Sequence, residues 1–247
     1  MNESTDPCQD LPESAPVEAT QEALGHGAGV AAEFRVFGLV RYLSHAELMR
    51  VFQRACVRAD LALEYSHGYN PRPRLSLPLP KPVGVESEGD LLCLRLLDVS
   101  DSAEALAADV ARRLSSSLPH GLEILSVRTV PRKTSYQPEA AVYRFLLKAG
   151  SSNDELRSKA EALLARGSLV VERRDGDNRA AAREVDVRPF LEALDRSGHE
   201  LEAHCRICPN GSIRVGEILG LLGMTREELA GPIRRTAIRW RQISVGC

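Results

Sequence analysis

The chain is poor in aromatic residues, which make up 4% of its 247 positions and include a single tryptophan. Aliphatic side chains must therefore do most of the packing, and with 43% apolar residues the chain can fill one or two ordinary globular cores. No run approaches the roughly 20 apolar residues that a membrane-spanning helix needs, and the N-terminus lacks the basic and apolar regions of a secretory signal. A cytoplasmic location is expected. The six cysteines (Cys8, Cys56, Cys93, Cys205, Cys208, Cys247) are too sparse for a disulfide scaffold, so reduced thiols are expected. Neither G-x-x-x-x-G-K-[ST], G-x-G-x-x-G nor G-x-S-x-G occurs, which argues against P-loop nucleotide hydrolysis and nucleophile-elbow hydrolase chemistry.

Positive charge is missing from the first 33 residues, which hold seven acids and no Lys or Arg. That segment is also rich in Pro, Ser, Ala and Gly without apolar periodicity, a composition that cannot offset its own ordering entropy, so residues 1–32 are expected to be a disordered acidic tail. The remainder carries 32 basic against 27 acidic residues.

What is present is a stiff basic strap. Five of the fourteen prolines lie between Pro71 and Pro82, with Arg72, Arg74 and Lys81 among them and Gly68-Tyr69-Asn70 in front. Each proline fixes its φ, removes an N–H and pushes its predecessor out of the helical region, so the segment must run extended or along a sheet edge. Upstream, Phe34–Leu43 alternates as a strand, and Ser44-His45-Ala46-Glu47 has the form of a capping box opening a helix to about Ala59. Strands at Leu75–Leu79, Asp90–Leu97 and Leu122–Val130 and a helix at Ser102–Leu118 complete a β-α-β-β-α-β order over residues 33–130. That order predicts an α+β fold, a ferredoxin-like split βαβ unit whose antiparallel sheet carries both helices on one face.

After a polar linker, residues 131–138, a second and looser α+β unit of similar element order is expected over residues 139–247. Strands are predicted at Ala141–Lys148, Leu169–Arg173, Arg183–Val187, Glu200–Ile207 and Ile233–Trp240. Between them stand helices at Asn153–Arg166, capped by Ser152-x-x-Glu155, near Pro189–Leu194, and at Val215–Leu222.

Arg50, Arg54 and Arg58 recur every four residues and form a stripe along the first helix, which serves either as a solvated face or as part of a binding surface. Between Arg41 and Lys81 seven Lys or Arg face three acids, an excess that attracts phosphates or an acidic partner. Tyr65, His67 and Tyr69 interleave with this charge and either stack on bases or join the core. The expected binding surface is Arg41, His45, Arg50, Arg54, Arg58, Tyr65, Ser66, Gly68, Asn70, Arg72 and Arg74. His45, at the first turn of a helix where the macrodipole disfavours its protonated form, is the one catalytic candidate. Cys205-x-x-Cys208 resembles half a zinc knuckle but lacks a second pair, and its odd spacing on a strand separates the thiols, so no metal or other cofactor is expected. Glu86, Glu88 and Asp90 stand at strand spacing as exposed acids or a hard-cation site, and Arg234, Arg235, Arg239 and Arg241 extend a basic surface or solvate a terminal strand.

Arg41-Tyr42-Leu43-Ser44-His45-Ala46-Glu47-Leu48, Tyr65-Ser66-His67-Gly68-Tyr69-Asn70-Pro71-Arg72-Pro73-Arg74 and Pro80-Lys81-Pro82-Val83-Gly84-Val85-Glu86-Ser87-Glu88-Gly89 together resemble the radical SAM-linked protein family. The resemblance spans about residues 33–240 and includes Arg183-Glu184-Val185-Asp186-Val187-Arg188-Pro189 and Gly211-Ser212-Ile213-Arg214. This sequence departs from the family pattern at Ala46-Glu47, where Leu-Asp is common, at His67, where Gln is common, and at Leu77, where an aromatic is frequent. Members are bacterial domains of unknown function fused to a radical SAM protein or encoded beside one. No three cysteines here have the C-x-x-x-C-x-x-C spacing of such an enzyme's cluster, so the resemblance implies an accessory or substrate-recognition module for a separately encoded radical SAM partner. Gene neighbours of the family, which include ribonuclease E/G and ribosomal proteins, imply an RNA or ribosome-associated substrate. Two other readings are an RNA-processing or RNA-modifying enzyme that uses His45 with Tyr65 or Asn70, and a pure protein–protein interaction module.

Overall fold

A computed structural model describes residues 27–97, 102–149, 153–173 and 182–244. Most of residues 1–32 and the cap at Ser152 lie outside the described residues. The strands are β1 (Ala28–Val36), β2 (Leu75–Ser76), β3 (Glu86–Leu96), β4 (Leu122–Val130), β5 (Thr134–Leu146), β6 (Val170–Arg173), β7 (Arg183–Asp186), β8 (Leu191–Ser197), β9 (Glu200–Cys208), β10 (Gly211–Ser212) and β11 (Arg234–Ser244). The helices are α1 (His45–Arg58), α2 (Ala103–Ser117), α3 (Asn153–Leu164) and α4 (Val215–Leu222).

Nine strands form one mostly antiparallel sheet in the order β10-β9-β5-β11-β3-β1-β4, with β2 also paired to β3 and β8 to β9. A separate ribbon joins β6 to β7. The exception to antiparallel pairing is β11 on β3, through Arg234↔Glu86 and Arg235↔Ser87. This parallel seam ties the last strand of the chain to its first half. The fold is therefore α+β, as the element order predicts.

β1 starts earlier than the sequence pattern suggests. Ala28–Ala32, expected in the tail, is paired on one side to β3 and on the other to β4, and is buried. A central strand covered on both faces needs no apolar–polar alternation, so small residues without periodicity suffice there. The strand expected at 34–43 stops at Val36, because Gly38 at φ +64° turns the chain into a 3-10 helix over Gly38–Tyr42. α1 opens as expected, with Ser44 Oγ accepting from Glu47 N at 3.3 Å and Glu47 Oε2 accepting from Ser44 N at 2.8 Å. Ser102 caps α2 through Ala105 N.

Two larger cores lie on this sheet. In one, Leu48, Phe52, Ala55 and Cys56 of α1 and Val110 and Leu114 of α2 pack on Val30, Ala32, Phe34, Val36, Leu92, Leu94 and Leu96, so both helices cover the same face of β1 and β3. The other joins β5, β8 and β9 to α3 and α4. Opposite the first pair of helices, Tyr136 and Trp240 pack with Ala31 and Leu91, so the near end of β5 and the far part of β11 lie over the helix-free face.

The boundary expected at 131–138 runs into β5, which is continuous from Thr134 to Leu146. Pro138 is accommodated because it faces Trp240 where the β5–β11 register shifts. The strand expected at Leu75–Leu79 shrinks to Leu75–Ser76, since Pro78 and Pro80 cannot donate to a ladder. The brief helix expected near Pro189–Leu194 is a 3-10 turn at Arg188–Phe190, followed by β8, which pairs with β9.

A candidate nucleic-acid interface

Residues 64–74 fold back on themselves as a hairpin. Ser66 N donates to Arg72 O at 2.8 Å, Arg72 N to Ser66 Oγ at 3.0 Å and Arg74 N to Glu64 O at 2.7 Å, with Tyr65 bridged to Pro73. Its base is docked on the end of β3: Glu64 N donates to Arg95 O at 2.8 Å, and Arg95 N to Arg74 O at 3.0 Å. The prolines supply the stiffness and Ser66 the internal acceptor. Gly68, at φ +134° with nothing near its missing side chain, makes the turn.

The tip faces water. Tyr69 is 100% exposed and Tyr65 45% exposed, and His67, Asn70, Pro71 and Arg72 are exposed as well. Both tyrosines thus lie outside the core, in a surface with aromatic planes, an amide and a guanidinium close together. At the base, the buried Glu64 carboxylate stands 3.1 Å from Arg74 Nε and 3.0 Å from the Arg132 guanidinium. Arg74, expected to be a free contact residue, therefore helps to pin the hairpin.

The remaining site residues are spread over the molecule. Arg50, Arg54 and Arg58 are exposed on α1, and Arg58 also donates to Ser117 O at the end of α2. Since α1 covers the face that Leu92, Leu94 and Leu96 present, this stripe is on the opposite side of the sheet from Cys93 and Arg95. Arg41 is engaged locally: it donates to Gly38 O at 2.8 Å and Tyr42 Oη at 3.0 Å, and stands 3.8 Å from Glu86. His45 begins α1 at that same end of β3, its Nδ1 buried without a hydrogen-bond partner among the described residues. Glu86 and Arg95 are separated by roughly 30 Å of strand at about 3.3 Å per residue. The structure thus sets His45 apart from Tyr65 and Asn70, and the three do not line one pocket.

Sequence reasoning missed a buried polar cluster where the strap returns along β3. Arg235 is 0% exposed, paired through its guanidinium to Asp90, with Pro80 O 3.3 Å away; Asp90 also accepts from Ser87 Oγ. Lys81, 5% exposed, donates to Arg41 O at 2.7 Å and Pro82 O at 3.1 Å. Burial, followed by the positive charge of Arg235, lowers the Lys81 ammonium to about 8. Burial also pushes the Tyr143 phenol up, next to the same arginine. Lys81 and Arg235 therefore do not extend a basic surface. Glu86 joins Arg234 at 3.2 Å and accepts from Gly38 N at 3.0 Å, so it too is occupied by the chain itself.

The two C-terminal motifs are also structural. Asp186 accepts from Leu169 N at 2.8 Å and Arg188 N at 3.0 Å, while Arg188 donates to Leu164 O, Arg166 O and Leu191 O. Arg173 pairs with Glu217 at 2.7 Å and donates to Ser212 O. Cys205 lies in the core, where desolvation raises its thiol to about 12 and keeps it protonated. No helix among the described residues is long and apolar enough to cross a membrane.

The fold and this surface define an α+β protein built on one large, mostly antiparallel sheet with a docked basic hairpin at one end. The chain belongs to the family described as "Uncharacterized protein conserved in bacteria (DUF2344)", which matches residues 30–216. That match links the chain to no radical SAM protein. Comparison with curated proteins gives no match.

Proposed function

We propose that the chain is a non-catalytic accessory module that contacts RNA through the 64–74 hairpin and serves a separately encoded radical SAM protein. One observation carries the RNA contact: Tyr69 is fully exposed on a hairpin braced from below by Glu64, Arg74 and Arg132. A large aromatic held in water by a rigid mount has no packing role, and a flat face beside Arg72 is suited to stacking on an unpaired base while the guanidinium meets the backbone. The radical SAM partner rests on the sequence resemblance alone. Within the fold, the β1-α1-β2-β3-α2-β4 order, with both helices over one face, supports a ferredoxin-like reading of the first half. The distance between His45 and the hairpin favours contact over catalysis.

The test is binding of a fluorescent single-stranded RNA by the full chain, followed by anisotropy against salt. Tyr69→Ala should weaken binding about tenfold, and Arg72→Ala should lower the salt slope by about 1. Neither side chain supports the core, so thermal unfolding should be unchanged. Curves identical to the parent's for both variants would remove the RNA contact. A radical SAM protein that co-purifies despite nuclease treatment, with RNA binding absent, would favour a protein–protein module instead.

A further inference from the structure

Beneath the hairpin, on the helix-free face of β1 and β3, lies an open cleft of about 380 Å³. Its lining includes Arg74, Arg95, Arg132, Ser76, Thr134 and Ser135. Glu64 Oε1 is 3.1 Å from Arg74 Nε, but that nitrogen is buried and misaligned for a hydrogen bond. The other carboxylate oxygen accepts from Arg132 Nε at 3.1 Å. Arg95 has no side-chain partner among the described residues, and Thr134 Oγ1 is buried without a hydrogen bond there. A buried hydroxyl without a partner costs free energy until a ligand or water meets it, and the half-buried Arg95 beside it supplies a positive charge with no counter-ion of its own among the described residues. Arg95 comes from β3, Arg74 from the hairpin base and Thr134 from β5, so the donor-bearing residues that line the cleft come from different elements. A group with several acceptor oxygens, held by charge-assisted hydrogen bonds, answers that arrangement.

We propose that this cleft is a phosphate-binding site centred on Arg95 and Thr134. The inference deepens the RNA reading and rests on it for the source of the phosphate: a backbone phosphate near the base stacked at the hairpin tip. Arg74 connects the two places, since it ends the hairpin and lines the cleft.

The experiment compares the full chain with Arg95→Gln and Thr134→Val. Each protein is titrated with inorganic phosphate against sodium chloride at equal ionic strength, read by thermal shift and by ³¹P line width, and then with the RNA used above. Phosphate should stabilise the parent saturably, and Arg95→Gln should weaken both phosphate and RNA binding by about tenfold, as loss of a charge-assisted hydrogen bond does. Thr134→Val should weaken both by a smaller factor. If phosphate acts equally on parent and Arg95→Gln while Tyr69→Ala still loses RNA, the cleft proposal is overturned and the RNA reading stands. If phosphate binding depends on Arg95 but none of the proteins binds RNA, the phosphate site stands and RNA as its source is overturned.

Discussion

Arg235 illustrates how little the charge of one residue says about its place. In sequence it belongs to an arginine-rich terminal strand; in the fold it is fully buried between β3 and β5 and held by Asp90. Only pairing with Ser87, far away in sequence, makes that environment, and no local pattern encodes it. Removing one partner leaves a buried charge uncompensated, so Arg235→Ala should cost about 3–5 kcal/mol in urea unfolding. Replacing both as Arg235→Met with Asp90→Leu should recover much of that loss.

Lys81 is buried beside the same arginine, and its ammonium responds to pH. Its folded pKa of about 8 lies below the ordinary 10.5, so between those values the unfolded chain binds the extra proton. Stability from this group therefore rises as pH increases through that window, by an amount on the order of 3 kcal/mol. Cys56, Cys93 and Cys205 are raised from 9.0 to about 12, 11 and 12 by burial and act in the opposite direction. Comparing parent with Lys81→Met cancels those thiols. The parent should gain stability relative to the variant from pH 8 to pH 10.5, and equal slopes would contradict the buried ammonium.

Among the elements, those with local signals were the most legible. The capping box at Ser44 marks the start of α1, and Pro119 and Gly121 mark the end of α2, because caps and breakers act within a few residues. Ser44→Ala should cost about 1 kcal/mol in thermal or denaturant unfolding, with no change in the RNA binding proposed for the hairpin, which docks at the other end of β3. β1 was only half visible, since Ala28–Ala32 is a strand by virtue of two neighbours rather than its own propensity. The strap was legible as stiff and extended, but its return at Gly68 and its docking on Arg95 depend on β3. The candidate site shares that division: the exposed chemistry of Tyr69 and Arg72 could be read from the chain, whereas Arg95, Arg132 and Thr134 become neighbours only after folding.

At the scale of the chain, the described residues are built on one continuous nine-stranded sheet with a core in each half, beside the β6–β7 ribbon, and β11 locks the halves together between β5 and β3. The local patterns gave no sign that the chain's last strand returns to its first half, because parallel pairing over such a separation leaves no short-range trace. A fragment of residues 27–132 would lose the cover of Tyr136 and Trp240 on its open face and would bury Asp90 without Arg235. It should lack the cooperative unfolding transition of the full chain, as measured by circular dichroism.

The proposal that the 64–74 hairpin holds RNA is tested most directly by ultraviolet crosslinking of the full chain to single-stranded RNA with mass-spectrometric mapping of the adduct. Crosslinked peptides containing Tyr65 and Tyr69 are expected, lost on Tyr65→Ala with Tyr69→Ala. Adducts confined to the Arg50–Arg58 stripe of α1, or none at concentrations that saturate binding, would contradict it.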